Sequence, residues 1–475
     1  MKHDKPKDAC GVFGIVSDKD DVARLTFFGL YALQHRGQES CGIATFNGNS
    51  FYVHKDLGLV SQVFDEENLS KLKGEIAVGH TRYSTTGNST KENAQPIIVE
   101  HNGLKIALAH NGNLVNAAEL RTTLLSEGFT FQSTTDSEAI AKLIVRELKN
   151  GCDLLLAIKK TMNLCEGAFS LVIATNEYLI GVRDKNGIRP FCIGKTSSGS
   201  YVLSSESCAL DIIGAVYQRE ISPGEIVFID KHQNLSSEFY TENVQLNFCV
   251  FELIYFSRPD SNFENHSVYN YRKQFGKQLA KESPVNADFV ISVPDSGTPA
   301  AIGFAEELKI PFTEALIKNR YVGRTFIQPT NILRELGIRL KLNPLKDIIQ
   351  NKKIVVVDDS IVRGNTSKKI VQLLRESGAK EVHMRLSSPP IKWPCFYGID
   401  IDSKKQLIAA TSKSIADIRD FIGADSLEYL SIEGMLKSTQ IEGKNFCTAC
   451  FSGKYPIKVT VENEDSKLKY EKTIV

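Results

Sequence analysis

Two adjacent carboxylates close an apolar run in the stretch IVVVDDSIVRGNTS, residues 354–367. The run 354–357 is short, continuous and rich in β-branched residues, as a central strand of a parallel sheet requires. Ligands of such sheets sit where the strands end. There Asp358 and Asp359 can hold hydroxyl groups or a divalent cation. Ser360, Arg363, Gly364, Asn365, Thr366 and Ser367 offer hydroxyls and backbone N–H groups ahead of a helical run, 368–377. A helix start fed by such a loop is an anion site. The pattern suits a phosphorylated sugar held with magnesium. A nucleotide-hydrolase reading of the acidic pair needs a G-x-x-x-x-G-K-[ST] loop. At the nearest candidate, Gly194-Lys195-Thr196, the position five residues before Gly194 is Arg189, so the spacing fails.

A second loop repeats the form. The strand-like run 288–293 ends in Pro294-Asp295-Ser296-Gly297-Thr298-Pro299 and leads into a helix-like run, 300–308. Alone, this is a good turn. Between the two loops, 318–341 carries Lys318, Arg320, Arg324, Arg334 and Arg339, which a solvated loop explains about as well as a cationic lid. Together these stretches resemble the phosphoribosyltransferase signature for 5-phosphoribosyl-1-pyrophosphate (PRPP). The resemblance implies that Asp358 and Asp359 contact the ribose hydroxyls and, with Ser296, magnesium. It also implies that Ser360 and 363–367 take the 5-phosphate, that Asp295, Ser296, Gly297 and Thr298 receive pyrophosphate, and that a flexible loop with Lys318 and Arg320 closes over PRPP.

The other end of the chain carries different chemistry. Cys10 opens a strand-like run, 10–16, where a buried cysteine would be unremarkable. Residues 1–9 are polar, with three lysines and no apolar core, so they are neither a signal peptide nor an anchor and read as a removable segment. Cleavage after Ala9 would give Cys10 a free α-amine of pKa ~8, against ~10.4 for a lysine, near enough to activate its own thiol. Three further segments follow in order: Leu33-Gln34-His35-Arg36-Gly37-Gln38-Glu39-Ser40, Gly79-His80-Thr81-Arg82-Tyr83-Ser84-Thr85 and His110-Asn111-Gly112-Asn113.

This ordered set resembles the N-terminal-nucleophile glutamine amidotransferases. Carried over residue by residue, the resemblance implies that Arg82 binds the glutamine carboxylate and Asp136 its amine. Asn111 and Gly112 would supply oxyanion donors. Each has a plainer alternative: Asn111-Gly112 as a hairpin turn, and Thr135-Asp136-Ser137-Glu138 as a capping box.

The elements that must position these residues are legible in outline. The stretches 21–33 and 139–148 carry apolar stripes of core-facing helices. Strand-like runs 105–109, 169–174 and 178–182 are punctuated by Gly, Asn and Ser, so this half reads as helices covering antiparallel sheets.

At 475 residues, 42% hydrophobic and 24% charged, the chain fits two or three domains. A net charge of +1 gives no reason to expect nucleic acid or a charged membrane, no run approaches the ~20 apolar residues of a membrane span, and the setting reads as cytosolic. Cys447-Thr448-Ala449-Cys450 is a metal-type pair, and Cys249 and Cys395 could complete a set of four. Spacing alone leaves zinc, an iron–sulfur cluster and a redox pair open. Cys41, Cys152, Cys165, Cys192 and Cys208 read as packed thiols.

The whole pattern, over about residues 10–456, is similar to the amidophosphoribosyltransferase family, in the subclass with a cleaved propeptide and a 4Fe-4S cluster on Cys249, Cys395, Cys447 and Cys450. The resemblance implies a propeptide 1–9 and an α+β glutaminase domain, 10–240, built as an αββα sandwich. An α/β phosphoribosyltransferase domain with a parallel sheet would follow over 241–456, then a tail, 457–475. It implies glutamine and PRPP as substrates, the first committed step of purine synthesis, feedback by purine nucleotides and a homotetramer. An amino-sugar synthase would replace the acidic motif with an isomerase domain, and a PRPP-sensing regulator would bring a DNA-binding module and lack the glutaminase.

Overall fold

A computed structural model describes residues 10–48, 50–83, 90–319, 341–401, 403–441 and 445–459. The proposed propeptide, Ser84 and Thr85, Arg320 with Arg324, Arg334 and Arg339, and the tail beyond 459 lie outside the described residues.

The strand Gly11–Val16 lies inside a seven-stranded antiparallel sheet, between Tyr201–Ser204 and Ile76–Arg82. Its period-2 alternation settles two packings. Val12 and Val16 face a second, six-stranded antiparallel sheet, while Phe13 and Ile15 face a helical layer containing Val22–Ala32. In the second sheet, Leu104–Leu114 pairs with Gly167–Ala174, and Tyr178–Arg183 follows. Helices Ala117–Ser126, Asp136–Lys149 and Leu154–Leu164 cover its outer face through Leu120, Leu143, Ile144 and Ile158. This is the expected αββα sandwich, with apolar residues between the sheets and under both helical layers.

In the second half, Phe289–Ser292, Lys353–Asp358, Glu381–Leu386 and Ser426–Tyr429 form a parallel sheet in that order. Lys353–Asp358 is central and buried on both faces. Val355 and Val357 pack toward Val268–Glu282 and Thr298–Leu308, whereas Ile354 and Val356 pack toward Asn365–Glu376 and Ile415–Ile422. Each such buried aliphatic side chain stabilises the fold by roughly 1.5–3 kcal/mol. That two-sided burial explains why the run reads as uninterrupted hydrophobics.

Between the halves, Phe248–Cys249 pairs in parallel with Phe446–Cys447, and a buried π-helical turn, Glu252–Phe256, follows. No helix among the described residues is long and apolar enough to cross a membrane.

Candidate active sites

Cys10 sits at the mouth of its strand, 6% exposed. Gly11 and Val12 pair with Thr81 and His80, so Arg82 lies one register step along, beside the thiol. The Cys10 Sγ donates to the Tyr83 carbonyl at 3.4 Å, and the Arg36 Nε donates to the Cys10 carbonyl at 2.9 Å. Burial pushes the Cys10 thiol pKa up, against the lowering effects of the Tyr83 hydrogen bond and the Arg82 charge. The thiol therefore stays protonated until a base takes its proton.

Arg82 is buried, with Glu39 4.0 Å away, and burial lowers its pKa. Asp136 is equally enclosed. Burial alone would raise its carboxyl, but His110 and the N–H groups of Leu114 and Ser137 hold it below the usual carboxylate range. The Leu114 N–H donates to Asp136 Oδ2 at 2.9 Å, and His110 Nδ1 lies 3.4 Å from Oδ1. The site thus presents a buried cation and a buried anion, a pair suited to an α-amino acid's carboxylate and amine.

Both plainer alternatives fail here. Asn111 and Gly112 lie inside the strand Leu104–Leu114, not in a hairpin turn. Gly112 has φ +151°, and a Cβ there would approach the Ala168 carbonyl oxygen to 1.9 Å, so only glycine fits. Thr135 makes no side-chain cap. Glu138 instead accepts from the Gln132 and Ser133 N–H groups at 3.0 and 2.7 Å, leaving Asp136 facing the site.

The second site forms where Lys353–Asp358 ends. Asp358 and Asp359 are buried, and the Asp359 N–H donates to Asp358 Oδ1 at 2.8 Å. The Ser296 hydroxyl donates to one oxygen of Asp359 and Ser360 to the other, so the two sequence loops meet at this carboxylate. Gly297 lies under the strand end, where a Cβ would fall 2.6 Å from the Val357 carbonyl oxygen. Thr298 opens the next helix, and Lys318 pairs with Asp295. Gly364, at φ +81°, turns the chain into Asn365–Glu376, whose first turn carries Thr366 and buried Ser367; Arg363 donates to Gln406. The oxygens of Asp358, Asp359 and Ser296 are the hard donors that magnesium takes, and their small number leaves room for substrate oxygens.

The four remaining motif cysteines also gather. Cys249 and Cys447 are register partners, and Cys249, Cys395, Cys447 and Cys450 each lie close enough for their charges to interact. Phe248, Phe446, Phe451 and Tyr397 pack in the same core. Among the described residues no three His, Cys, Asp or Glu side chains converge to hold a single metal ion. Of the thiols assigned no chemistry, Cys41, Cys165, Cys192 and Cys208 are buried, while Cys152 is half-buried and accepts from Lys160.

Sequence reasoning missed what joins the sites. Arg36 pairs with Glu206 and Glu252, and Arg189 with Glu252, all buried. Arg189 donates to the Tyr397 carbonyl at 3.0 and 2.7 Å, Asn113 to the Phe396 carbonyl at 3.0 Å, and Tyr83 to Asp400 at 3.2 Å. Arg36 lay in a quoted motif, but its partners are far away in sequence and nothing local marks them.

Comparison with known proteins assigns these halves separately. A glutamine amidotransferase domain family matches residues 80–211, and a phosphoribosyl transferase domain family matches 270–387. The chain is 57% identical to an amidophosphoribosyltransferase of Synechococcus elongatus, over 98% of this chain and 95% of that protein. It is 50% identical to that of Methanocaldococcus jannaschii, over 95% and 98%. Two solved structures superimpose closely. One, described as the allosteric regulatory enzyme of purine biosynthesis, gives a TM-score of 0.90 at 46% identity, covering 96% of this chain and 97% of that one. The other, a glutamine PRPP amidotransferase from B. subtilis complexed with ADP and GMP, gives 0.89 at 46% identity, covering 96% and 99%.

Proposed function

The chain belongs to the amidophosphoribosyltransferase family, and on that footing we propose how its residues divide the reaction. The enzyme carries out the first step of purine biosynthesis: glutamine, PRPP and water give 5-phosphoribosylamine, glutamate and pyrophosphate. The observation that carries the division is that buried Arg82 and Asp136 both act electrostatically on Cys10, in one half, while the Asp358–Asp359 strand end lies in the other.

Arg82 holds the carboxylate of glutamine and Asp136 its amine, which sets the side-chain amide against Sγ. Removal of residues 1–9 frees the Cys10 amine, which takes the thiol proton. The thiolate attacks the amide carbon, and Asn111 with the Gly112 N–H holds the oxygen as it becomes negative. The protonated amine then gives its proton to the departing nitrogen, which leaves as ammonia, and water hydrolyses the thioester to glutamate and the free thiol.

In the other half, Asp358 and Asp359 hold the ribose hydroxyls, 363–367 the 5-phosphate, and 295–298 with Lys318 the pyrophosphate. A magnesium ion held by Ser296, Asp358 and Asp359 would screen pyrophosphate charge. Ammonia then attacks C1 of the ribose, forming the C–N bond as pyrophosphate leaves. Free ammonia would be protonated in water, so the reaction needs a closed passage between the sites, and the segment 318–341, with Lys318 and Arg320, is the gate we propose for it; residues 320–340 lie outside the described residues.

We further assign a 4Fe-4S cluster to Cys249, Cys395, Cys447 and Cys450, supported by their gathering in one core. The B. subtilis relative was solved with ADP and GMP, which supports feedback by purine nucleotides here. A homotetramer in the cytoplasm completes the proposal.

The division of labour is tested by two substitutions. Cys10→Ala should abolish glutamine-dependent synthesis and retain synthesis from added ammonia at raised pH. Asp359→Asn should lower both by on the order of tenfold or more, since both use the same acceptor site. A folded Cys10→Ala protein without ammonia-dependent activity would overturn the division.

A further inference from the structure

Asn111 is fully buried and, as placed, poorly satisfied. Its Oδ1 has no hydrogen-bond partner among the described residues, and its Nδ2 reaches only Ser205 Oγ, at 3.5 Å. A buried amide oxygen left unpaired costs about 1–3 kcal/mol. Amide oxygen and nitrogen are interchangeable in shape, so their assignment follows from the partners around them.

Ser205 decides that assignment. Its Oγ accepts from the Val12 N–H at 2.9 Å, and its own N–H donates to the Val12 carbonyl at 3.0 Å. The hydroxyl proton is engaged by no acceptor among the described residues, and Asn111 is the neighbour that can take it. Turning the Asn111 amide by half a rotation places Oδ1 on the Ser205 hydroxyl, which donates, and turns Nδ2 toward the direction that now holds the orphaned oxygen. Among the described residues no donor meets Asn111 Oδ1 in that direction.

We propose that Ser205 is a positioning residue that fixes the Asn111 side chain with Nδ2 toward the reacting amide. It also ties that donor to the strand two residues after the nucleophile, so the distance between Cys10 and the oxyanion donor is set by one hydroxyl. Ser205 is 1% exposed and follows directly on the strand Tyr201–Ser204, and the Cys10 Sγ donates to the Tyr83 carbonyl rather than to Ser205. This inference rests on the assignment of Asn111 as an oxyanion donor.

The test is a double-mutant cycle on the mature enzyme, read as glutaminase kcat and KM alongside ammonia-dependent synthesis. Loss of one oxyanion donor costs about 10²–10³ in kcat, so a misoriented donor should cost at least about tenfold. Ser205→Ala should lower glutaminase kcat by about tenfold or more, leave the glutamine KM within about twofold and leave ammonia-dependent synthesis unchanged. In an Asn111→Ala background the same substitution should have no further effect on kcat. Ser205→Cys, near-isosteric and a weak donor, should behave as Ser205→Ala, and it replaces that variant if the alanine protein does not fold. Ser205→Thr should restore kcat.

An unchanged kcat in Ser205→Ala, or equal losses with and without Asn111, would overturn the proposal. A full glutaminase rate in Asn111→Ala alone would instead remove the oxyanion assignment, and the role of Ser205 with it.

Discussion

At Cys10 the difficulty is the proton. Burial raises the thiol pKa, and neither the Tyr83 carbonyl nor Arg82 accepts a proton. His80 and His110 are close in the fold, but the His80 Nε2 donates to the His110 carbonyl and burial lowers its pKa to about 3, while His110 faces Asp136 and Ser137. The base we propose is therefore the α-amine that removal of residues 1–9 would free. Intact-mass measurement of active enzyme should show a chain beginning at Cys10. Full activity in a chain that keeps Met1 would leave the thiol without its base and refute this assignment. The resemblance carried by the ordered motifs was enough to name Cys10, Arg82, Asn111, Gly112 and Asp136 as a group, since their order along the chain is a stronger signal than any one of them. Ser205 and Arg36 escaped because they serve those residues rather than the substrate, and a serine at a strand end carries no local signal of that duty.

Among the elements, the segment 395–400 links three parts of the molecule. It begins at Cys395, in the cysteine core, and its next residues meet the oxyanion strand. Phe396 accepts from Asn113, and at Gly398 a Cβ would lie 2.9 Å from the Gly112 carbonyl carbon. Asp400 then accepts from Tyr83, the residue whose carbonyl holds the Cys10 thiol. The cluster proposed on Cys395 would thus also fix the ground on which Gly112 rests. Cys395→Ser should give protein that is insoluble or unfolds at much lower temperature. Anaerobically purified wild type should carry about four iron atoms per chain. Stoichiometric zinc without iron would refute the cluster. The four cysteines were legible as a set, but the contact of Phe396 and Gly398 with the strand Leu104–Leu114 was not, since no spacing rule reports which strand a loop lies against.

At the scale of the whole molecule, two sandwiched sheets and a parallel sheet are joined by buried charge as well as apolar packing. The antiparallel half was readable from strand-like runs punctuated by Gly, Asn and Ser, and the parallel sheet from one uninterrupted aliphatic run. The joint was not, because Glu206, Arg36, Glu252 and Arg189 meet only after folding. Glu252 is central to it, accepting from Arg36 at 2.7 Å and from Arg189 at 3.1 Å, and from the Ser257 hydroxyl at 2.8 Å. Burial alone would raise its carboxyl, but Arg36 and Arg189 hold it below its ordinary value, and His35 and Arg36 do the same for Glu206. A carboxylate whose folded pKa is depressed stabilises the fold fully above its unfolded pKa of ~4.3, and that contribution disappears as pH falls toward the folded value. Glu252→Gln removes the charge between two buried arginines, so at pH 7 it should destabilise the protein by about 3–5 kcal/mol, read as a lower thermal midpoint. Because Arg36 also holds the Cys10 carbonyl and Arg189 the Tyr397 carbonyl, glutamine-dependent synthesis should fall more than the ammonia-dependent reaction. On acidification below pH ~4.3 the wild-type midpoint should drop toward that of the variant, since protonation then removes the same charge. A variant as stable as wild type at pH 7, or a gap that widens in acid, would show that the joint is held by packing alone.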